Sequence, residues 1–390
     1  MSITGHQQNA ATDPPAVAHT LREAPFANLL ARADGASLAA TALLIQACEA
    51  IGLPYQVSPI RTRAAAADRR AGMADATAVI AVGMDTTDPA DGNGDGVDAD
   101  AHLAGQPVTA ALEVADQLEA SVSPTLALAG IVAAGEVLSA YPSLIDRAGL
   151  ERRPGIAIPT ADPIDGLAHT TLTHGPFSGD PERTAETIAG IDGETMTEAD
   201  HRQLASLTAV AVTGAADATP RAATAVEAVL RPYPIDGPVA TLGGYADVLE
   251  ATAATAPGVG IALALDGDVR SAALDHWRDH ARRVHVGVRS ASTARYDGLL
   301  VARLDDEGDD TTPVEAVARL LRDFRAPEPA VLAIAGDRAG LATTETPAAA
   351  VLPAATAAVG GSALTRGDRG FATIDPDQTE GFITALRGGL

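Results

Sequence analysis

The stretch Phe26–Ala50, FANLLARADGASLAATALLIQACEA, constrains the fold more than any other part of the chain. A short apolar run (Phe26, Leu29, Leu30, Ala31) stops at Arg32-Ala33-Asp34-Gly35. A strongly amphipathic helix is expected behind Ser37, the N-cap candidate. Strand, sharp acidic turn and helix together place one carboxylate at the C-terminal edge of a parallel sheet. Open α/β folds keep their chemistry at that edge.

The same alternation continues. The pattern predicts strands at Tyr55–Pro59 and Ala78–Val82 around a helix at Arg61–Ala71, then helices near Val108–Glu119, Thr125–Gly135 and Tyr141–Ala148. Alternating strands and helices argue for a parallel, helix-covered sheet. Arg152–Asp180, rich in Pro, Gly and His, reads as an ordered insertion, followed by helices near Glu182–Ile191, Glu198–Thr213 and Pro220–Leu230. Arg231-Pro232-Tyr233-Pro234 breaks the last helix and marks the main expected boundary. Beyond it, strands are expected at Val239–Leu242, Val259–Leu265, Asp297–Arg303, Ala330–Ala335 and Gly370–Ile374. Helices are expected at Tyr245–Thr255, Arg270–Ser290, Pro313–Phe324, Pro353–Val359 and Gln378–Arg387. The reading is an α/β protein: a loose arm (1–20), a parallel-sheet domain (21–195), a helical connector (196–234) and a second α/β domain (235–390).

Composition narrows the setting. The net charge is −24, aromatic residues make up 3%, and all 27 basic residues are Arg, since the chain has no Lys. An acidic, Lys-free, Ala-rich chain suits molar salt. At about 1 M salt the Debye length is about 3 Å, so global negative charge neither repels nucleic acid at range nor excludes it as a partner. The single Cys48 rules out a disulfide within the chain and fits a reducing cytoplasm. No apolar run approaches the roughly 18 residues of a membrane span, so a soluble cytoplasmic protein without a membrane partner is expected.

Several constellations admit two readings. Asp91–His102 copies the first half of a calcium loop but ends in His102 where a bidentate Glu is needed; it reads equally as a solvated acidic loop. His276 and His280 stand four apart on the helix Arg270–Ser290, a zinc-like spacing with no third ligand nearby. Arg278, Arg282 and Arg283 cluster on that helix as a candidate phosphate-contacting face or, alternatively, as a salt-bridged surface. His169, His174 and Ser178 in the insertion are candidate cleft-lining groups, or parts of a packed loop. No nucleophile elbow and no phosphate loop ending in Gly-Lys occurs.

The opening turn resembles motif I of the DHH phosphoesterase superfamily, RecJ branch, in which a strand ends in D-x-D-G before an Ala- and Leu-rich helix. Val79–Asp85 is similar to the second-motif strand, and Leu126–Val132 to the helix leading to the fourth motif. Tyr296–Ala302, Ala358–Ala363 and the terminal Gly381-Phe382-Ile383 resemble the DHH-associated domain. Thr241–Glu250 and His174–Asp180 look like segments of haloarchaeal RecJ-like exonucleases. The resemblance implies an N-terminal DHH-type domain and a C-terminal nucleic-acid-binding domain using Gly360, Gly361, Arg366 and Arg369. It also implies a pair of Mn2+ or Mg2+ ions that activate water for phosphodiester hydrolysis. Asp34, Asp98 and Asp85 are the candidate ligands here.

The departures matter. Arg32 stands where the first Asp of D-x-D-G belongs, Asp98-Ala99-Asp100 replaces the DHH triplet, and Ala133-Ala134 falls where an acid is expected. Ser362 follows Gly361 in place of a His. A fixed cation at Arg32 repels a metal directly. The expectation is therefore a catalytically degenerate, RecJ-like scaffold that binds single-stranded DNA, or RNA, in replication or repair. Its partners by resemblance would be GINS or other replisome components. The alternative is an active metal-dependent 5′–3′ single-strand exonuclease.

Overall fold

The computed structural model describes residues 13–74, 77–84, 97–191, 196–305 and 312–390. The first sheet is built on β1 (Ala27–Arg32), with β2 (Tyr55–Ile60), β3 (Ala78–Val82) and β4 (Ala101–Leu103) in the order β2-β1-β3-β4, all parallel. Every residue of β1 is buried. Side chains alternate faces along a strand, and here the two faces feed two cores. Leu29, Ile80 and Val82 point into the large helical core. Leu30, Val79 and Ala81 join Ile60, Ala66 and Leu364 on the other face.

Of the expected loose arm, residues 13 onward are structured. Helix α1 (Pro14–Glu23) buries Val17, Ala18 and Leu21 against the first core, capped by Asp13. Helix α2 (Gly35–Ala50) follows β1, but it is not amphipathic. It is buried from Gly35 to Ile45, because α4 (Pro107–Gln117), α5 (Pro124–Ala133), α11 (Leu242–Thr255) and α12 (Pro257–Ala264) surround it. A helix apolar on all sides belongs inside a core, and its many Ala residues let the neighbours approach closely. Helix α3 (Arg63–Ala71) follows β2, and α6 (Pro142–Ala148) packs on α5. The insertion holds α7 (Pro163–His169) and α8 (Pro181–Thr187), followed by α9 (Glu198–Thr213) and α10 (Pro220–Val229).

The second sheet has the order β5-β6-β7-β8-β10-β9: β5 (Ser292–Tyr296), β6 (Leu299–Arg303), β7 (Ala330–Ala335), β8 (Arg338–Thr343), β9 (Ser362–Arg366) and β10 (Arg369–Thr373). Only β6 and β7 pair in parallel. One face is covered by α14 (Val314–Leu320), the insertion, α9 and α10. The other face is covered by α15 (Ala348–Ala357) and α16 (Thr379–Gly389).

The structure corrects the sequence reading in three further places. Val259–Leu265 is helix α12, not a strand. A short, wholly apolar run has no period to separate the two states, and Pro257 at the helix start suits α. Val239–Leu242 contributes only the bridge Pro234↔Thr241. Strands β5, β8 and β9 carry too many exposed, Ala or Arg positions to alternate visibly; Asp297-Gly298, expected inside a strand, is the turn between β5 and β6.

Two hydrophobic cores draw on residues from both sides of Arg231–Pro234. Leu204, Val212, Val226 and Val229 of the connector lie in the core under the second sheet. Residues after the boundary, from Leu242 to Trp277, belong to the first core. The 21-residue α13 (Arg270–Ser290) spans both, with Trp277 in the first core and Val284 and Val288 in the second.

Candidate functional site

The turn after β1 sits where the two sheets meet. Asp34, rather than Ser37, is the N-cap of α2: its extended backbone turns the side chain back, and Oδ1 accepts the Ser37 amide at 2.9 Å. Asp34 Oδ2 lies 3.2 Å from Arg32 Nε and 3.4 Å from Arg366 Nε. Burial alone would raise the Asp34 carboxyl. The Arg366 and Arg32 guanidiniums, with the Ser37 amide, prevail and hold it below the usual carboxylate range.

Two further acids complete the lattice. Glu250 on α11 reaches the first turn of α2, where its Oε2 accepts the Gly35 amide at 2.7 Å and its Oε1 pairs with Arg369 Nη1 at 3.1 Å. The approach requires Gly35, since a Cβ there would stand 2.9 Å from both the Glu250 amide nitrogen and its carboxylate. Glu315 on α14 accepts Arg32 Nη2 at 3.1 Å. It is brought in by close packing of α14 on β8 at Gly340, whose Cβ would lie 2.5 Å from the Glu315 nitrogen. Desolvation raises the Glu315 carboxyl against the pull of Arg32.

Arg366 and Arg369 face each other across the β9–β10 hairpin. Arg369 Nη2 donates to the Ala133 carbonyl at 2.8 Å, and Arg366 Nη1 to the Ala134 carbonyl at 3.3 Å. Those carbonyls end α5, the negative end of its dipole. At the position where the resemblance expects an acidic side chain, backbone oxygens therefore meet guanidiniums. Asp368 at the hairpin tip is paired with Arg322, which also donates to the Thr343 carbonyl at 2.7 Å.

Beside this lattice opens a cavity of about 510 Å3, lined among others by Arg32, Asp34, Glu250, His280, Glu315 and Phe371. Buried Arg32 Nη1 and His280 Nε2 have no hydrogen-bond partner among the described residues. Desolvation lowers the His280 pKa to about 4, so its imidazole is neutral.

Other expected site residues go elsewhere. Asp98 precedes β4 at the opposite edge of the first sheet, is mostly exposed, and pairs with Arg70 at 3.4 Å. It comes before the N-terminal end of β4, whereas Asp34 follows the C-terminal end of β1 in the same parallel sheet. Asp85 lies outside the described residues, as do Asp91–Gly96 of the calcium-like loop; Asp100 in that segment accepts the Val79 amide at 2.8 Å. Arg278 makes a two-pronged pair with Asp165 (2.9 and 3.0 Å), Arg282 pairs with Asp279, and Arg283 is exposed on the same helix. Gly360 and Gly361 form the turn from α15 into β9.

His169, His174 and Ser178 are buried among packed partners. Ser178 Oγ accepts the Gly175 amide, and His169 Nδ1 faces Asp165 while its ring stands edge-on to Trp277. His174 stacks on His285 with the two Nδ1 atoms 3.1 Å apart. His285 Nε2 donates to the Thr170 carbonyl, so a neutral His285 accepts the His174 Nδ1–H. Nearby Asp247, fully buried, accepts from Thr170 Oγ1, from the Thr171 amide and hydroxyl, and from Trp277 Nε1. Sequence reasoning singles out neither Asp247 nor Glu250 as site residues. The available signal is two acids three apart in the otherwise apolar helix LGGYADVLEATAAT.

The described residues do not fit a two-metal centre. Asp34 already bears two guanidiniums, Glu250 an amide and a guanidinium, and Asp98 is remote. Among the described residues no group of three or more His, Cys, Asp or Glu is placed to hold a metal. No described helix is long and apolar enough to cross a membrane.

Comparison with known proteins establishes kinship. The chain is 42% identical over 393 aligned positions to the uncharacterized protein rrnAC1427 of Haloarcula marismortui, covering 99% of both. The chain belongs to the rrnAC1427 family. The family profile described as the C-terminal domain of uncharacterized protein rrnAC1427 matches residues 291–388, from the residue before β5 into α16. Among solved structures, CDC45 from Entamoeba histolytica superposes with a TM-score of 0.59 at 12% identity, covering 96% of this chain and 97% of CDC45. RecJ from Thermus thermophilus, crystallised in complex with Mn2+, superposes at 0.52 and 14% identity, covering 96% of this chain and 53% of RecJ. The fold is thus of the CDC45 and RecJ type, in line with the resemblance of the sequence motifs.

Proposed function

We propose that the protein is a RecJ-type scaffold that holds single-stranded nucleic acid and does not hydrolyse it. The observation that carries this reading is the state of Asp34. The carboxylate that resembles a metal ligand is engaged by Arg32 and Arg366, so permanent cations occupy the positions around it. A divalent ion there would meet two fixed positive charges a few ångströms away. The RecJ-like and CDC45-like fold supports nucleic acid as the ligand class, with single-stranded DNA preferred and replisome components such as GINS as partner candidates.

The test is incubation of the full chain with labelled single-stranded DNA in molar potassium chloride, with Mn2+ or Mg2+, alongside calorimetric titration with Mn2+. Retained oligonucleotide, measurable strand binding and no Mn2+ uptake at Asp34 are expected. Metal-dependent digestion that disappears in Asp34→Ala would overturn the reading in favour of an exonuclease.

A further inference from the structure

Arg366 and Arg369, expected from sequence to meet a nucleic-acid backbone, already hold carboxylates. The pairing crosses the cleft in both directions. The first-sheet side supplies Arg32, Asp34 and Glu250; the second-sheet side supplies Glu315, Arg366 and Arg369. Three ion pairs result, Arg32–Glu315, Asp34–Arg366 and Glu250–Arg369, so three cations meet three acids when the two sides touch.

None of the three is a two-pronged guanidinium–carboxylate fork. Arg366 reaches Asp34 only through Nε at 3.4 Å, and Arg369 reaches Glu250 through Nη1 at 3.1 Å. Guanidiniums bind phosphate through parallel pairs of N–H groups; here the second N–H of each pair goes instead to a backbone carbonyl, Ala134 for Arg366 and Ala133 for Arg369, so neither carboxylate is gripped in that way. The adjoining cavity also contains the unpartnered Arg32 Nη1 and His280 Nε2. Two unmatched polar groups beside guanidiniums that no carboxylate grips in parallel point to a ligand with oxygen acceptors.

We propose that Asp34 and Glu250 are an intramolecular stand-in for a phosphate-bearing polyanion. On the nucleic-acid reading above, they form an autoinhibitory contact that keeps the β9–β10 hairpin shut against α2, α5 and α11. Phosphate oxygens entering the cleft exchange for the two carboxylates on Arg366 and Arg369 and release the hairpin. Because these pairs are largely buried, molar salt screens them far less than it screens surface charge. The contact therefore holds where simple electrostatic attraction does not.

The experiment uses the full chain and Glu250→Gln, which keeps an acceptor for the Gly35 amide while removing the charge opposite Arg369. Two readouts are taken: amide hydrogen exchange of β9 and β10 without ligand, and affinity for inorganic polyphosphate and for a fluorescein-labelled oligothymidylate. Faster exchange in the hairpin and about fivefold tighter polyphosphate binding are expected, as for release of a competing internal contact.

Unchanged exchange overturns the proposal. So does faster exchange with unchanged polyphosphate affinity, since the carboxylate would then not compete with phosphate. Tighter polyphosphate binding without oligothymidylate binding in either protein supports the contact and removes the nucleic-acid reading instead. If Glu250→Gln does not fold, Asp34→Asn, which retains an N-capping side chain, carries the same comparison.

Discussion

Two of the buried polar regions among the described residues solve the same problem differently. Around Asp34 charge is met by charge, across a junction between parts of the chain far apart in sequence. Around Asp247 and His285 the partners are hydroxyls, amides, an indole and neutral imidazoles, packed in the angle between the insertion, α11 and α13. A buried ion pair contributes little net stability against an apolar replacement, but removing one partner is expensive because the other charge stays behind. A hydrogen-bonded acid behaves similarly at smaller scale, since its donors can partly rearrange. The first arrangement sets which surfaces meet. The second fixes one loop.

The largest effect should come from the first region. Asp34→Ala removes the α2 cap and leaves Arg32 and Arg366 facing each other, and should destabilise by about 3–5 kcal/mol in urea denaturation. A loss below about 1 kcal/mol would show that the lattice is solvated rather than buried. Next comes Asp247→Ala, which strands the donors of Thr170, Thr171 and Trp277. It should cost about 3 kcal/mol by the same measurement and raise amide exchange at Thr171.

The third prediction concerns pH. Desolvation, aided by Arg325 and Arg289, lowers the His174 pKa to about 4; desolvation and His174 drive His285 well below its ordinary value. Unfolded histidines titrate near about 6.5. Below that pH the unfolded chain binds protons that the folded chain refuses, so stability falls as pH drops from about 6.5 toward 4. The slope should approach about 1.4 kcal/mol per pH unit for each imidazole. His174→Gln should flatten it, and an unchanged slope would assign the acid sensitivity to other groups. Smallest of all is Glu315→Gln: this acid is about a third exposed, so its loss should cost about 1 kcal/mol or less.

Legibility in the sequence follows periodicity. Helix α13 has the bounds the pattern predicts because its apolar positions repeat at a clear period, whereas β3 and β7 are wholly apolar runs whose bounds are marked by the turn residues that flank them. Helix α12 escapes the pattern because a buried apolar run has no period, and β5 because an exposed edge strand has no apolar alternation. In the site, Asp34 is visible from its turn and Arg32 from its departure from D-x-D-G. Glu250 and Glu315 are not, since nothing local distinguishes an acid facing solvent from one facing a guanidinium.

The sequence by itself determined the strand–turn–helix at Phe26–Ala50, the first three strands of the parallel sheet and the place of Asp34 at its C-terminal edge. These depend on side-chain period and turn chemistry, which act over a few residues. Only the tertiary structure decided what Asp34 does, because its partner Arg366 lies 332 positions along the chain. An arginine reads the same in sequence whether it faces water, phosphate or a carboxylate. Packing of the second sheet onto the first chose the carboxylate.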